Sequence, residues 1–427
     1  MKICIITLGC PKNVVDSETL RPWFAGDKIG FTNQPELAEV IIINTCAFIL
    51  PAREEAIEVI LEAVDLKKQG KAKYIYVVGC LPQRYTGELK KEIPEVDGFF
   101  PQKDFNIVGK QIAANLKLSV ETKTKLRKLE TPDHYAYLKL SEGCDNRCKY
   151  CTIPDIKGRH QSRDFNSLIE EANELVNGGV RELILVAQDI TYFGRDLGDR
   201  SALHKLIKSL AKIDQLKWIR LLYAHPAHVD DALIQLMKEE EKVCRYIDMP
   251  IQHISDKILK SMGRNVKKAG IEKTIEKFRK QIPGIAMRTT LMVGYPGEGD
   301  KEFEELKEFV KNVEFERLGV FKFIPEDGTK AANMTGQVPE EIKEDRLQEI
   351  MDIQEEIAGI RNRELLGKTV TVLVDEKNER ENTWLSRSEW DTPLIDNSVH
   401  LQGNFETGKF YKVKITRADA FDLWAKI

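Results

Sequence analysis

Long hydrophobic runs are missing from this 427-residue chain. No stretch reaches the ~18 consecutive apolar residues that a membrane span needs, so no spanning helix is expected. The opening run, Ile3 to Thr7, is short and lacks the small-residue exit of a signal peptide. It reads as a first β-strand, and a cytoplasmic chain is the expectation. An excess of charge of either sign is also missing. Sixty-five Lys and Arg face 68 Asp and Glu, for a net charge of −3, a balance that does not announce a nucleic-acid binder. Histidine is scarce, with seven in all. His225, His228 and His253 invite a zinc reading, but no carboxylate or cysteine at ligand spacing completes one. What remains, 42% hydrophobic and 31% charged residues, fits a soluble globular protein of about three domains at the usual ~150 residues each.

Cysteine is present in a pattern. The loop Cys144-Asp-Asn-Arg-Cys148-Lys-Tyr-Cys151 has the spacing C-x3-C-x2-C, with no fourth cysteine or histidine in the same loop. A structural zinc site takes four protein ligands. A cubane iron–sulfur cluster held by three thiolates keeps one iron open to a reactant. A zinc knuckle is the competing reading. Cytoplasmic cysteines are reduced or metal-bound rather than disulfide-linked. The spacing resembles the signature of the radical S-adenosylmethionine (SAM) enzymes. That resemblance implies an open iron that chelates the amino and carboxylate groups of SAM and an electron that cleaves it.

The first ~115 residues repeat one unit. An apolar, β-branched run stops at a cysteine and a polar helical stretch follows: Ile3–Thr7 before Gly9-Cys10, Val40–Ile43 before Asn44-Thr45-Cys46, and Tyr74–Val78 before Gly79-Cys80. Continuous apolar strands alternating with helices predict a parallel sheet covered on both faces. Ligands bind such sheets at the carboxyl ends of the strands, and all three cysteines fall there. A second metal cluster on Cys10, Cys46 and Cys80 is therefore expected. Residues 116–133 read as a linker. Six strands follow, at Ala136–Leu140, Glu182–Ala187, Trp218–Tyr223, Tyr246–Met249, Ala286–Val293 and Leu318–Phe323, with helices between them. They predict an open (β/α)6 barrel whose catalytic groups sit at the carboxyl ends. Residues 338–365 predict an amphipathic helix with Ile342, Leu347, Ile350, Ile353, Ile357 and Ile360 on its apolar side. The tail, with short β-rich runs, predicts a small antiparallel β-barrel. The expected fold is thus α/β with three domains: 1–115, 130–365 and 366–427. Cys4 and Cys244 read as core. Trp384, Trp390 and Trp424 read equally as barrel core or as a recognition surface.

These three parts together resemble the radical SAM methylthiotransferase family, whose third part is a TRAM-like barrel. Two segments resemble its ribosomal-protein (RimO-type) branch: Thr7-Leu-Gly-Cys-Pro-Lys-Asn-Val-Val-Asp-Ser-Glu18, and Arg387-Ser-Glu-Trp-Asp-Thr-Pro-Leu-Ile-Asp396. The segments Leu222–Pro226, Pro250–His253 and Val293–Glu298 resemble the family as well. The resemblance implies two [4Fe-4S] clusters, one on Cys144, Cys148 and Cys151 that reduces SAM and one on Cys10, Cys46 and Cys80 that carries the inserted sulfur. Gln188 and Asp189 end the second barrel strand, where the superfamily places polar groups near the SAM amino group; they, Gln252, Arg288 and Thr290 read as SAM contacts or as satisfied polar residues lining the barrel. Lys12 and Asn13, close after Cys10, read as orienting substrate or cluster sulfur or as solvated residues of a helix start. The resemblance implies as substrate an aspartate of small-subunit ribosomal protein twelve, a reductase or flavodoxin-like electron donor, a sulfur donor, and a monomer. A tRNA methylthiotransferase or an iron–sulfur carrier are the rival readings. The tail from residue 366 holds nine Lys and Arg against ten Asp and Glu, which suits a basic protein substrate better than RNA. Three departures from the pattern stand out: Pro22 where the first helix would continue, Phe323-Ile324 where a Tyr-Ser pair is usual, and Asn397 after Asp396.

Overall fold

β-Branched residues crowd the first strands, and their alternation decides two faces. The computed structural model of the chain describes residues 1–24, 29–118 and 127–427. The linker expected at 116–133 lies partly outside them. Two compact units form: residues 1–131, 142–145 and 151–161, and residues 132–141, 146–150 and 162–427.

In the first unit, a five-stranded parallel sheet runs in the order Gly30–Phe31, Lys2–Thr7, Val40–Thr45, Tyr74–Gly79, Gly98–Phe99. Cys4, Ile41, Ile43, Ile75 and Val77 point to one face, under Ala56, Ile60 and Leu89 of the helices Leu50–Lys68 and Cys80–Glu92. Ile3, Val40, Ile42, Tyr76 and Val78 point to the other, under Leu20 and the helix Phe105–Asn115. The two-residue period of a strand produces both cores from one apolar run. The first helix stops at Leu20, and a 3-10 turn over Arg21–Phe24 takes in Pro22. The end of the linker is tied down: buried Arg127 lies 3.5 Å from buried Glu18, and Lys128 N–H donates to the Glu18 carbonyl.

In the second unit, six parallel strands follow chain order: Tyr135–Lys139, Glu182–Val186, Trp218–Leu221, Val243–Asp248, Ala286–Val293, Arg317–Lys322. Each matches an expected strand to within three residues. The long helix spans Glu340–Arg363, but its buried face is not the expected stripe. Ile350 and Ile357 are buried, whereas Ile342 and Ile360 face solvent. Polar side chains replace them inside: Lys343 Nζ donates to Phe323 O at 3.0 Å, Arg346 to Glu298 at 2.8 Å, and Gln354 to Phe315 O at 2.9 Å. Buried polar groups with such partners are satisfied, so an apolar count alone misjudged the face.

The tail closes into a five-stranded barrel with four antiparallel pairings and one parallel pairing, between Ser398–Leu401 and Asp422–Lys426. Trp384 and Trp390 pack against its core. Trp424 lies on its surface, stacked on His400 and capped by Arg417 at 4.0 Å.

The Arg387–Asp396 stretch is spent on docking this small barrel to the six-stranded one. Glu182, at the start of its strand and fully buried, accepts from Arg220 Nε and from Arg387 Nη1, each at 2.7 Å. Arg387 also grips Asp375 through Nε and Nη2 at 2.7 and 2.9 Å, and His134 shares that carboxylate. Arg220 reaches the Glu389 carbonyl at 2.7 Å. Arg317 Nε donates to Asp391 at 3.0 Å, and Tyr246 Oη to Asp396 at 2.8 Å. Removing one member of a buried ion pair strands the other in low dielectric. Arg387→Met should therefore cost about 3–5 kcal/mol in urea denaturation of the full chain. Exposed Lys377→Ala should stay within about 0.5 kcal/mol. Equal midpoints for the two variants would remove this network from the stability of the second unit.

Candidate metal centres

Register sets up the first centre. Thr7 pairs with Asn44, and Thr45 with Gly79, so three strands end level. Cys10 then caps the helix Pro11–Leu20, Cys80 opens the helix Cys80–Glu92, and Cys46 follows its strand directly. Helix N-termini favour thiolates. Two glycines allow the approach. Gly9 has φ +91°, and a Cβ there would lie 2.7 Å from Cys46 Cβ. Gly79 has φ +92°, and a Cβ there would lie 2.4 Å from Asn44 Oδ1 and 2.6 Å from Thr45 O. Asn13 fastens the turn, donating to Leu8 O at 2.7 Å, while Asn44 donates to Asn13 O at 2.8 Å. Thr45 Oγ1 donates to Val78 O at 2.7 Å. Burial pushes the Cys80 thiol up to about 12; Lys157 pulls it down, and Cys46 and Cys10 push it further up. Burial also raises Cys46, with Cys10 adding to the rise and Lys12 opposing it. The three thiols thus act on one another as neighbours.

Lys157 is buried near them, 3.3 Å from Glu142 and 3.8 Å from Asp16. In the same unit Cys144 N–H donates to Gly158 O at 3.1 Å, and Thr152 Oγ1 to Phe48 O at 3.2 Å.

In the second unit, the loop that carries Cys148 is laced to its surroundings. Lys149 N–H donates to Met262 O and accepts at its carbonyl from Ala331 N–H, both at 2.9 Å. Half-buried Gln188 and buried Asp189 follow the second strand. Asp189 Oδ2 accepts from Asn146 at 3.1 Å and lies 2.7 Å from His228 Nδ1, while Oδ1 accepts from Thr191 N–H at 3.0 Å. Burial would raise Asp189, but His228, with His225 and Thr191, holds it down to about 2. The structure corrects one expectation here: a carboxylate does join His225 and His228, with ligand atoms of all three within 4.8 Å. Spacing along the chain could not show this, because Asp189 and His225 meet across neighbouring strand ends. The oxygens of Asp189 are already engaged and His225 Nδ1 accepts from Ala227 N–H at 3.2 Å, so the cluster is a hydrogen-bonded network. His253 is separate, buried 3.2 Å from Glu298.

Gln252 has φ +74°, donates its N–H to Thr290 O at 2.8 Å, and accepts from Met292 N–H at 2.7 Å. Tyr223, past the third strand, has φ +65°. Non-glycine residues in the left-handed region are held there by their surroundings and gather at functional sites. Arg288 lies below this level. It donates to Asp248 at 2.9 Å and Thr290 Oγ1 at 3.4 Å, and its Nε is 3.3 Å from Asp396.

Comparison with known proteins assigns the chain. Residues 138–310 match the Radical SAM superfamily, 2–101 an uncharacterized protein family, UPF0004, and 366–427 the TRAM domain. A protein of Phocaeicola vulgatus named ribosomal protein uS12 methylthiotransferase RimO is 46% identical over 432 residues, covering 100% of this chain and 99% of that one. A protein of the same name from Citrifermentans bemidjiense is 44% identical over 439 residues, covering 100% and 98%. The chain belongs to the RimO family.

Among solved structures, the radical SAM methyltransferase TsrM from Kitasatospora setae aligns with TM-score 0.54 at 13% identity, over 75% of this chain and 74% of that one. The cobalamin-dependent radical enzyme OxsB aligns with TM-score 0.53 at 13% identity, over 83% and 56%. These likenesses show the fold. Membership in the RimO family implies a [4Fe-4S] cluster and SAM. The donor set suits such chemistry: Cys10, Cys46, Cys80, Cys144, Cys148 and Cys151 are all free thiols, the ligand type iron–sulfur clusters take. No helix among the described residues is long and apolar enough to cross a membrane.

Two outcomes follow for the first unit of this RimO-family chain. Gly79→Ala should destabilise it by about 1–3 kcal/mol in thermal unfolding of metal-free protein, because the added methyl has no room. Thiols must lose protons to ligate, and Cys80 holds its proton up to about 12. Iron uptake by metal-free protein should therefore strengthen as pH rises from 6.5 to 8.5. Uptake that is flat with pH would mean the thiols are not the ligands.

Proposed function

We propose that this chain methylthiolates the β-carbon of an aspartate side chain in ribosomal protein uS12. The observation that carries the reading is the convergence of Cys10, Cys46 and Cys80 at level strand ends in a chain that also holds C-x3-C-x2-C. Breaking an unactivated C–H bond lies beyond side-chain acid–base chemistry and belongs to a cofactor. Bound at Cys144, Cys148 and Cys151 with SAM, a [4Fe-4S] cluster supplies that radical chemistry. At Cys10, Cys46 and Cys80 a second such cluster supplies the sulfur, and another SAM the methyl group.

The chain's own residues do the placing. Gln188 and Gln252, just past the ends of two strands, and Thr290, within a third, would hold SAM. Asp189 would join them while holding Asn146 and His228 in place. Arg288 supports Thr290 from below. Lys12 and Asn13 order the turn that presents Cys10. An external electron donor of the reductase or flavodoxin type and a separate sulfur donor complete the cycle.

Anaerobically prepared protein should hold about eight irons, the content of two four-iron clusters. Cys148→Ala should lose SAM cleavage and keep about half the iron. Cys46→Ala should still cleave SAM yet leave the mass of uS12 unchanged. A modified uS12 from the Cys46 variant would overturn the second cluster, and SAM cleavage by the Cys148 variant the first. A chain that methylthiolates tRNA and leaves uS12 unmodified would overturn the substrate.

A further inference from the structure

Arg264 follows Gly263, whose left-handed conformation (φ +77°) ends the helix Asp256–Met262. A Cβ at Gly263 would lie 2.8 Å from Arg147 O, so this turn packs on the loop that carries Cys148. The Arg264 side chain is directed the same way. Nη2 donates to Pro250 O at 2.7 Å and Nη1 to Tyr150 Oη at 3.3 Å. Nε is buried and makes no hydrogen bond. The guanidinium thus faces Cys148 as well as Tyr150.

The other buried arginines of the second unit show what is unusual. Arg220 and Arg387 share Glu182, Arg317 holds Asp391, and Arg346 holds Glu298. Arg264, 7% exposed, has no carboxylate partner among the described residues. A buried cation without a counter-charge is strongly destabilising. Of the groups that face Arg264, Cys148 is the one that becomes a fixed anion when it binds iron.

We propose that Arg264 is a positioning residue for the radical cluster: it is the built-in counter-cation of the Cys148 thiolate and eases reduction of the iron bound there. This rests on reading Cys144, Cys148 and Cys151 as cluster ligands. An added electron makes a thiolate-bound cluster more negative, so a cation and N–H donors beside a ligating sulfur favour the reduced form. The free Nε leaves the guanidinium a donor for that sulfur environment once it is occupied.

The test is an EPR-monitored potentiometric titration of the reconstituted full chain in a Cys46→Ala background, which leaves one cluster to observe. Arg264→Met should make reduction about tenfold less favourable, a fall of about 59 mV for one electron. Arg264→Lys keeps charge without the planar fork and should fall less, in the same direction. If the Met variant fails to take up iron, the Lys variant decides. A midpoint at or above that of the parent overturns the assignment. Cys148→Ala separates the two layers: a signal that survives it refutes the ligand reading, whereas its loss alongside an unmoved Arg264 midpoint refutes only the role of Arg264.

Discussion

A parallel sheet delivers every strand-to-helix loop to the same edge, and the first unit is built on that constraint. Its strands are too apolar to offer chemistry along their length. Chemistry can enter only where they stop. The register stops three of them level, and Gly9 and Gly79 then let the chain turn tightly enough for the thiols to meet. Any side chain at Gly79 would collide with Asn44, which itself ties back to Asn13 and Ser17. The cysteines, the glycines and the buried amides are therefore one device, and a change in any of them moves the others.

The second unit depends on a different interaction, the sharing of Glu182 between two arginines that come from different barrels. The Arg387–Asp396 stretch, by which the tail resembles the RimO branch, turns its charged groups inward to this network. That alters the meaning of the tail's charge. Asp375, Asp391 and Asp396 are engaged in ion pairs against the single Arg387, so the face left to solvent is less acidic than the sequence count implies. The neutral total says little about what the barrel meets. Its surface offers instead the Arg417–Trp424–His400 stack.

Much of this was legible in the residues. Apolar β-branched runs that stop at a cysteine located three of the parallel strands, and the C-x3-C-x2-C loop lies within the segment that matches the Radical SAM superfamily. The misses share a physical cause. Spacing reports neighbours along one element, so it found neither the Asp189–His228 pair nor the Arg387–Glu182 pair, 205 residues apart. Hydropathy assigns an isoleucine inward and a lysine outward. Lys343 and Ile342 reverse this, because a carbonyl awaits the ammonium at Phe323. The fourth barrel strand starts at Val243, before the expected Tyr246, with Cys244 buried inside. Arg245 is exposed and breaks the apolar run without breaking the strand.

The two cysteine sites differ in the charge already stored beside them. Near Cys80, Lys157 is buried but balanced. Burial alone would discharge it, and Glu142, the thiol and Asp16 hold its proton in place. That cation is already paired with two carboxylates, Glu142 and Asp16. Near Cys148, Arg264 is buried on neutral partners, with no carboxylate partner among the described residues. A site that must accept electrons gains from a surplus cation, since each added electron deepens the negative charge of the thiolate cluster. A site that holds sulfur for transfer has no such need, and a surplus cation there would only tighten its grip on an anionic sulfur that has to leave. On the proposed reading of the two triads, the unequal provision of carboxylates would follow a division of labour, one triad tuned for reduction and the other for release.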